Sequence, residues 1–216
     1  MKKLLYVLTI GLLITACQDT ASSNNNSRQP KSSGLPYFGF HEIAPGDTSY
    51  HTIPTYQLLA QDSSEFNNER VKGKIHVANF FFTSCPAICP AMIAQMKRLQ
   101  ENTNDIEELQ FLSHTIDPKR DSIPKLNQYI KDKNLDTHNW YFLYGEREYV
   151  HDLGRNGYML NAMEDEEAEG GFLHSEHFVL VDREGHIRGL YTGTVTEEVD
   201  QLEKDIRTLI ATEYGE

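Results

Sequence analysis

The chain has 216 residues, with 20 Lys and Arg against 32 Asp and Glu, a formal net charge of −12, and only three cysteines. A composition of 39% hydrophobic and 24% charged residues belongs to a globular domain held by an apolar core, which argues against a disulfide scaffold. The acidic balance, with no basic stripe, argues against a general nucleic-acid binder, because counterion release needs clustered Lys and Arg.

The N-terminus reads Met1-Lys2-Lys3, then a mostly apolar run over residues 4–16, then Cys17. Lysines ahead of a short apolar run have the layout of a secretory signal peptide, and the run is too short for a spanning helix, which needs about 20 residues. Leu13-Ile14-Thr15-Ala16-Cys17 resembles a bacterial lipobox, which implies cleavage before Cys17 and lipidation of that residue. A plain signal peptide with an incidental cysteine, or a short uncleaved anchor, is the alternative. Residues 18–34 hold five serines and three consecutive asparagines and little that can be buried, so a disordered tether is expected. The expected organisation is a signal peptide over 1–16, a lipidated tether over 17–35 and one folded domain over 36–216. That domain would stand outside the cytoplasm, close to a bacterial membrane.

Within the domain, Tyr50-His-Thr-Ile-Pro-Thr-Tyr56 reads as an edge strand, with Pro54 excluding a central one. Lys74-Ile-His-Val-Ala-Asn-Phe-Phe-Phe82 is a nearly continuous apolar run that suits a strand covered on both faces. Ile88, Met92, Met96 and Leu99 then recur at helical spacing. Leu109 to Ile116 reads as a second strand ended by Asp117-Pro118, and Ser122 starts a helix through about Lys133. Trp140 to Tyr144 is a third strand, followed by a helix over 146 to about 158 that Gly154 and Gly157 can end early. His177 to Val181 and Ile187 to Tyr191 form a hairpin across Asp182-Arg-Glu-Gly185, and a last helix starts near Thr196, with Val199, Leu202, Ile206 and Leu209 on one side. Strands alternating with helices and closing in a hairpin predict an α/β fold of thioredoxin type.

The main chemical signal is Phe81-Phe-Thr-Ser-Cys85-Pro-Ala-Ile-Cys89-Pro90, between the first long strand and its helix. Cys85 is expected near the helix N-terminus, where the dipole favours a thiolate. The four-residue spacing stacks both sulfurs on one helical face, while Pro90, which lacks an N–H, is expected to distort the first turn. Such a pair suits reversible disulfide exchange or a soft metal such as copper(I) or zinc. A structural disulfide is a third reading, and two buried, unlinked cysteines a fourth, disfavoured by the flanking prolines.

The segment Phe-Phe-Thr-Ser-Cys85-Pro-Ala-Ile-Cys89-Pro, then Thr115-Ile-Asp117-Pro-Lys-Arg-Asp121-Ser-Ile-Pro124, then His174-Ser-Glu-His-Phe-Val-Leu-Val-Asp182-Arg-Glu-Gly185 resemble, in order, the Sco/SenC family of thioredoxin-fold copper-binding proteins. The likeness runs from about Pro36 to the end. It implies that Cys85, Cys89 and His174 ligate copper, as copper(I) or copper(II), and that the partner is the copper-bearing subunit of cytochrome c oxidase or another copper protein. A monomer is expected. Two thiolates suit copper(I), and an imidazole adds what copper(II) prefers. Without the resemblance His174 reads as a solvated loop histidine, and His177, three residues on, as a surface or supporting group. Asp117 and Asp121 read as structural, bonding local backbone or pairing with Lys119 and Arg120. Met159 and Met163, ahead of the acidic run 164–167, are a conceivable soft site but read as part of a solvated loop. Trp140-Tyr-Phe-Leu-Tyr-Gly145 is bulkier than the family pattern, which is expected to alter partner contacts.

The function expected is a copper metallochaperone. A thiol-disulfide oxidoreductase using Cys85 and Cys89 is the alternative, and a peroxide-consuming thiol enzyme a third. No phosphate-binding loop, dinucleotide fingerprint or nucleophile elbow is present. A closed zinc site lacks a fourth ligand.

Overall fold

The computed structural model describes residues 34–44, 47–160, 162–164 and 172–215. The signal peptide, Cys17, residues 17–33 of the tether and the acidic residues 165–167 lie outside the described residues. In chain order come β1 (Glu42–Ala44), β2 (Asp47–Ser49), β3 (Gln57–Leu59), β4 (Glu65–Asn67), β5 (Ile75–Phe81), α1 (Cys89–Asn102), β6 (Leu109–Thr115), α2 (Ile123–Asp132), β7 (Trp140–Leu143) and α3 (Arg147–Asp152). They are followed by a π-helical turn over Leu153–Gly157, then β8 (Ala162–Glu164), β9 (Phe172–His174), β10 (His177–Val181), β11 (Ile187–Thr192) and α4 (Thr196–Leu209).

The central sheet has five strands in the order β11-β10-β5-β6-β7. β5, β6 and β7 are parallel, whereas β10 runs antiparallel to β5 and β11 antiparallel to β10. This is the thioredoxin-type α/β architecture that the alternation of elements predicts. α1 and α2 both join parallel neighbours stepping the same way, so right-handed crossovers set them on one face. The ring of Phe81 meets Tyr129 of α2 there, and Arg98 of α1 ties in α4 through Asp200 at 2.6 Å. Side chains alternate between faces, so Phe80 turns the other way, towards His114 and Tyr158, and His114 in turn meets Tyr56. With both faces covered, every residue of β5 and β6 is buried, which is why β5 reads as a continuous apolar run.

One expectation needs correction. Residues 50–56 form no strand; the edge hairpin β3–β4 follows them. The Asn68 amide donates to the Pro54 carbonyl at 3.1 Å and accepts from Tyr56 N–H at 2.7 Å, so a side chain rather than a sheet neighbour satisfies this backbone. The helix from 146 closes after one turn and a half, with the Glu146 carboxylate capping Tyr149 N–H, and widens into the π-helical turn. A Cβ on Gly157 would meet the Leu153 methyl at 2.9 Å and the Pro54 ring at 3.1 Å, so a larger residue at this turn would make the Leu153 side chain shift. Of the β7 aromatics, Trp140 and Phe142 are wholly buried and Tyr141 is half-buried. The Trp140 indole donates to Ser113 Oγ at 2.9 Å, which donates to Asn79 Oδ1 at 2.6 Å.

Arg188 on β11 fixes the start of the domain. Its buried guanidinium donates to Asp182, to Glu213 and to the carbonyls of Leu35 and Pro36, and lies 4.1 Å from the centre of the Tyr37 ring. The first described residues are therefore held against the sheet.

Candidate functional site

The C-terminal end of β5 passes through Phe82 into a turn that carries Cys85, and α1 opens at Cys89. This shifts the junction from its expected position. Pro90 in a helix begun at Pro86 would lack an N–H and crowd the preceding turn; with the helix starting at Cys89 it falls in the first turn, where no N–H is required. Cys85 N–H donates instead to the Phe82 carbonyl at 3.2 Å, and Met92 N–H to Ile88 closes the first helical turn at 3.0 Å. Cys89, not Cys85, therefore occupies the helix N-terminus.

Neither cysteine is joined in a disulfide and both are buried, Cys85 with 6% of its surface exposed and Cys89 with 1%. The flanking prolines do place them at an element boundary, but that boundary lies under protein. The hydrogen bond between the two thiols, and then burial, push the Cys89 thiol up; hydrogen bonding to the Phe82 backbone opposes this and is outweighed. Two thiols sharing a hydrogen bond titrate as a pair, and a soft ion that takes both sulfurs must displace their protons.

Asp121 holds the turn. Its carboxylate is wholly buried and accepts from Thr83 N–H at 2.9 Å, from the Thr83 hydroxyl and from the Thr115 hydroxyl at 2.7 Å. A residue of the β6–α2 loop thus fastens Thr83, two residues ahead of Cys85. Asp117 is buried beside it: its backbone N–H donates to Thr115 Oγ1 at 3.2 Å, its carboxylate pairs with Arg120, and its backbone carbonyl takes Arg120 N–H and Asp121 N–H at 3.1 and 2.9 Å. The structural reading of both aspartates holds for these contacts, although Asp121 bonds two threonines rather than Lys119 or Arg120. Tyr129 of α2, not singled out from the sequence, packs near the pair; burial, and then the charges of Cys89, Cys85 and Asp121, push its hydroxyl up. Its place three residues after Leu126 on the buried side of α2 is the signal that would have found it.

His174 closes β9, where its Cα pairs with Ala162 of β8. Its side chain lies outside the described ones. Val179 pairs with Ala78, so the start of β10 lies level with the C-terminal end of β5, and the preceding segment joins the sheet at the end that carries the cysteine turn. His177 belongs to β10 rather than to a strand shared with His174, and its Nδ1 meets Ser175 Oγ at 2.8 Å. Met163 lies on β8 opposite Leu173, and Met159 is partly buried against the core with φ of 58°. Among the described residues no three of His, Cys, Asp or Glu converge as a metal cage. Among the described residues, too, no helix is long and apolar enough to cross a membrane. A cavity of about 590 Å³ lined by Asp105, Ile106, Arg207 and Ile210 lies beyond the C-terminal end of α1 and does not reach the cysteines.

The family model SCO1/SenC matches residues 45–211. The chain is 31% identical over 140 residues to a protein of Stutzerimonas stutzeri whose name proposes copper binding, covering 63% of this chain and 67% of that one. The crystal structure of a SCO1/SenC family lipoprotein from Bacillus anthracis superposes with a TM-score of 0.68 at 29% identity, over 74% of this chain and 95% of that one. BsSco, described as a member of the Sco family of cytochrome c oxidase assembly proteins in which a disulfide switch was identified, superposes with a TM-score of 0.65 at 25% identity, over 73% and 92% of the two chains.

Proposed function

The chain belongs to the SCO1/SenC family, and from that premise we propose that it is a copper metallochaperone, held by lipid on Cys17 at the extracytoplasmic face of a bacterial membrane, that assists assembly of the cytochrome c oxidase copper centre. Copper is its cargo, carried by Cys85, Cys89 and His174. The observation that carries the reading is the pair of hydrogen-bonded, buried thiols at the β5–α1 junction, on a turn fastened by Asp121. Two convergent sulfurs suit a soft ion and not a hard one, and loading releases their protons. The imidazole of His174 supplies the further ligand that copper(II) prefers, and its strand joins the sheet at the cysteine end. The copper binding proposed for the Stutzerimonas relative and the assembly role given for BsSco support the same assignment. The protein acts as a monomer that delivers copper to a membrane-embedded partner.

Anaerobic titration of the reduced protein tests this. It should bind one copper(I), and Cys89→Ala should lower the affinity by more than the roughly 100-fold that loss of a supporting residue costs. Stoichiometric binding that survives loss of both cysteines would sink the reading. His174→Ala should weaken copper(II) binding while sparing thiol reactivity; unchanged copper(II) affinity would remove His174 from the ligand set.

A second reading, reduction of a partner's disulfide before metallation, is favoured by the unequal burial of the thiols and by the switch identified in BsSco. Cys85, the less buried, is then the attacking sulfur and Cys89 the resolving one. Loss of reductase activity in Cys85→Ser, with full activity in His174→Ala, would put this reading in front.

A further inference from the structure

Three of the five large hydrophobic side chains exposed among the described residues lie in one short stretch: Phe40 with 74% of its surface exposed, Ile43 with 85% and Tyr50 with 38%. They belong to the β1–β2 hairpin and its flanks. The hairpin is joined to the rest of the fold at its base, where Tyr50 stacks on Tyr37 at 4.0 Å and both rings meet His186 edge-on. Tyr37 is the ring under Arg188, whose guanidinium also holds the carbonyls of Leu35 and Pro36. The chain arriving from Cys17 is therefore tied down beside this hairpin. Seventeen residues, 17–33, separate it from the acceptor of the lipid, and the tether expected there from composition would span about 25 Å on average.

We propose that this hairpin is a foot on the bilayer, with Phe40, Ile43 and Tyr50 seated at the boundary between headgroups and acyl chains. The proposal rests on the lipid anchoring proposed above. Aromatic and aliphatic side chains are the residue types that partition to that boundary. Residues 34–56 contain no Lys or Arg, so the contact is apolar insertion and not attraction to anionic headgroups. The hairpin also sets an orientation. Val181 pairs with His76, so the turn carrying His186 lies at the N-terminal end of β5, whereas the cysteine turn leaves its C-terminal end. Seven residues of strand separate them by about 20 Å. A hairpin seated on the membrane thus presents Cys85 and Cys89 away from it, to a partner site that stands clear of the bilayer.

The test uses the full lipidated chain carrying Phe40→Trp, bound to phosphatidylcholine vesicles with brominated acyl chains. The chain has one tryptophan, Trp140, and it is wholly buried, so the parent protein supplies the background. The expected result is co-sedimentation with vesicles and a loss of the added tryptophan's emission in brominated lipid, with Trp140 unaffected and the loss reduced by Ile43→Ser. Vesicle-bound protein whose added tryptophan is not quenched overturns the foot and leaves the anchor standing; blue-shifted but unquenched emission means that a second copy or another protein covers the patch. Protein that does not co-sediment overturns the anchor and the foot with it.

Discussion

Replacing Asp121 with alanine is expected to cost about 3–5 kcal/mol of folding stability, each donor left without a partner costing about 1–3 kcal/mol less whatever water recovers. Those donors are the Thr83 N–H, the Thr83 hydroxyl and the Thr115 hydroxyl, all aimed at one buried carboxylate. Asp121→Asn keeps the volume but turns an amide N–H2 towards a donor, so it should recover only part of the loss. The functional consequence follows from position, because the clamped residue is two before Cys85. A freed turn must be ordered again when copper binds, and affinity should fall by about 10–100-fold, as for other groups that orient metal ligands. Urea unfolding of the reduced, metal-free variants gives the first quantity and competition titration of folded protein the second. A variant within about 1 kcal/mol of the parent, with unchanged copper affinity, would mean that the cysteine turn is held by something else.

Acid should destabilise the protein well before its carboxylates titrate. His76 and His114 lie inside the face of the sheet opposite α1 and α2, where burial pushes each imidazole down to about 3; the charge of His76 adds to the effect on His114. His114 stacks on Phe80 at 4.7 Å with both ring nitrogens lacking hydrogen-bond partners, and His76 has one such nitrogen, its Nε2 meeting the Tyr158 hydroxyl at 3.4 Å. Above pH 6.5 both histidines are neutral folded or unfolded, and stability does not depend on them. Below it the unfolded chain takes protons that the folded one refuses, so stability is lost as pH falls from about 6.5 towards 3. At about 1.4 kcal/mol per pH unit for each group, the pair costs about 4 kcal/mol by pH 5. His114→Phe keeps the stack on Phe80 and should halve that slope in unfolding measured between pH 7.5 and 5. A parent whose stability is flat over this range, or a variant with the parent's slope, would contradict the assignment.

Much of this molecule is legible as local pattern. The apolar run of β5, the four-residue stripe of α1, the turn at Asp182 to Gly185 and the register of α4 each depend on residues close in the chain, and they stand where periodicity and turn chemistry put them. The hairpins β1–β2, β3–β4 and β8–β9 do not read from the sequence, because strands of three residues are too short to show an alternation. The helix start at Cys89 depended on which of two prolines, Pro86 or Pro90, took the first turn, and spacing alone permits either.

The site divides the same way. The sequence by itself determined that Cys85 and Cys89 lie at the junction of a buried strand and a helix, because the apolar run before them and the helical stripe after them are local patterns. Tertiary structure alone decided that both thiols are buried and share a hydrogen bond, that Asp121 serves Thr83 at the end of the neighbouring strand rather than its adjacent cations, and that Trp140 and Phe142 of β7 turn inward. Each of these outcomes is set by groups far apart in the chain competing for the same buried space and the same hydrogen-bond donors, and that competition has no local signature.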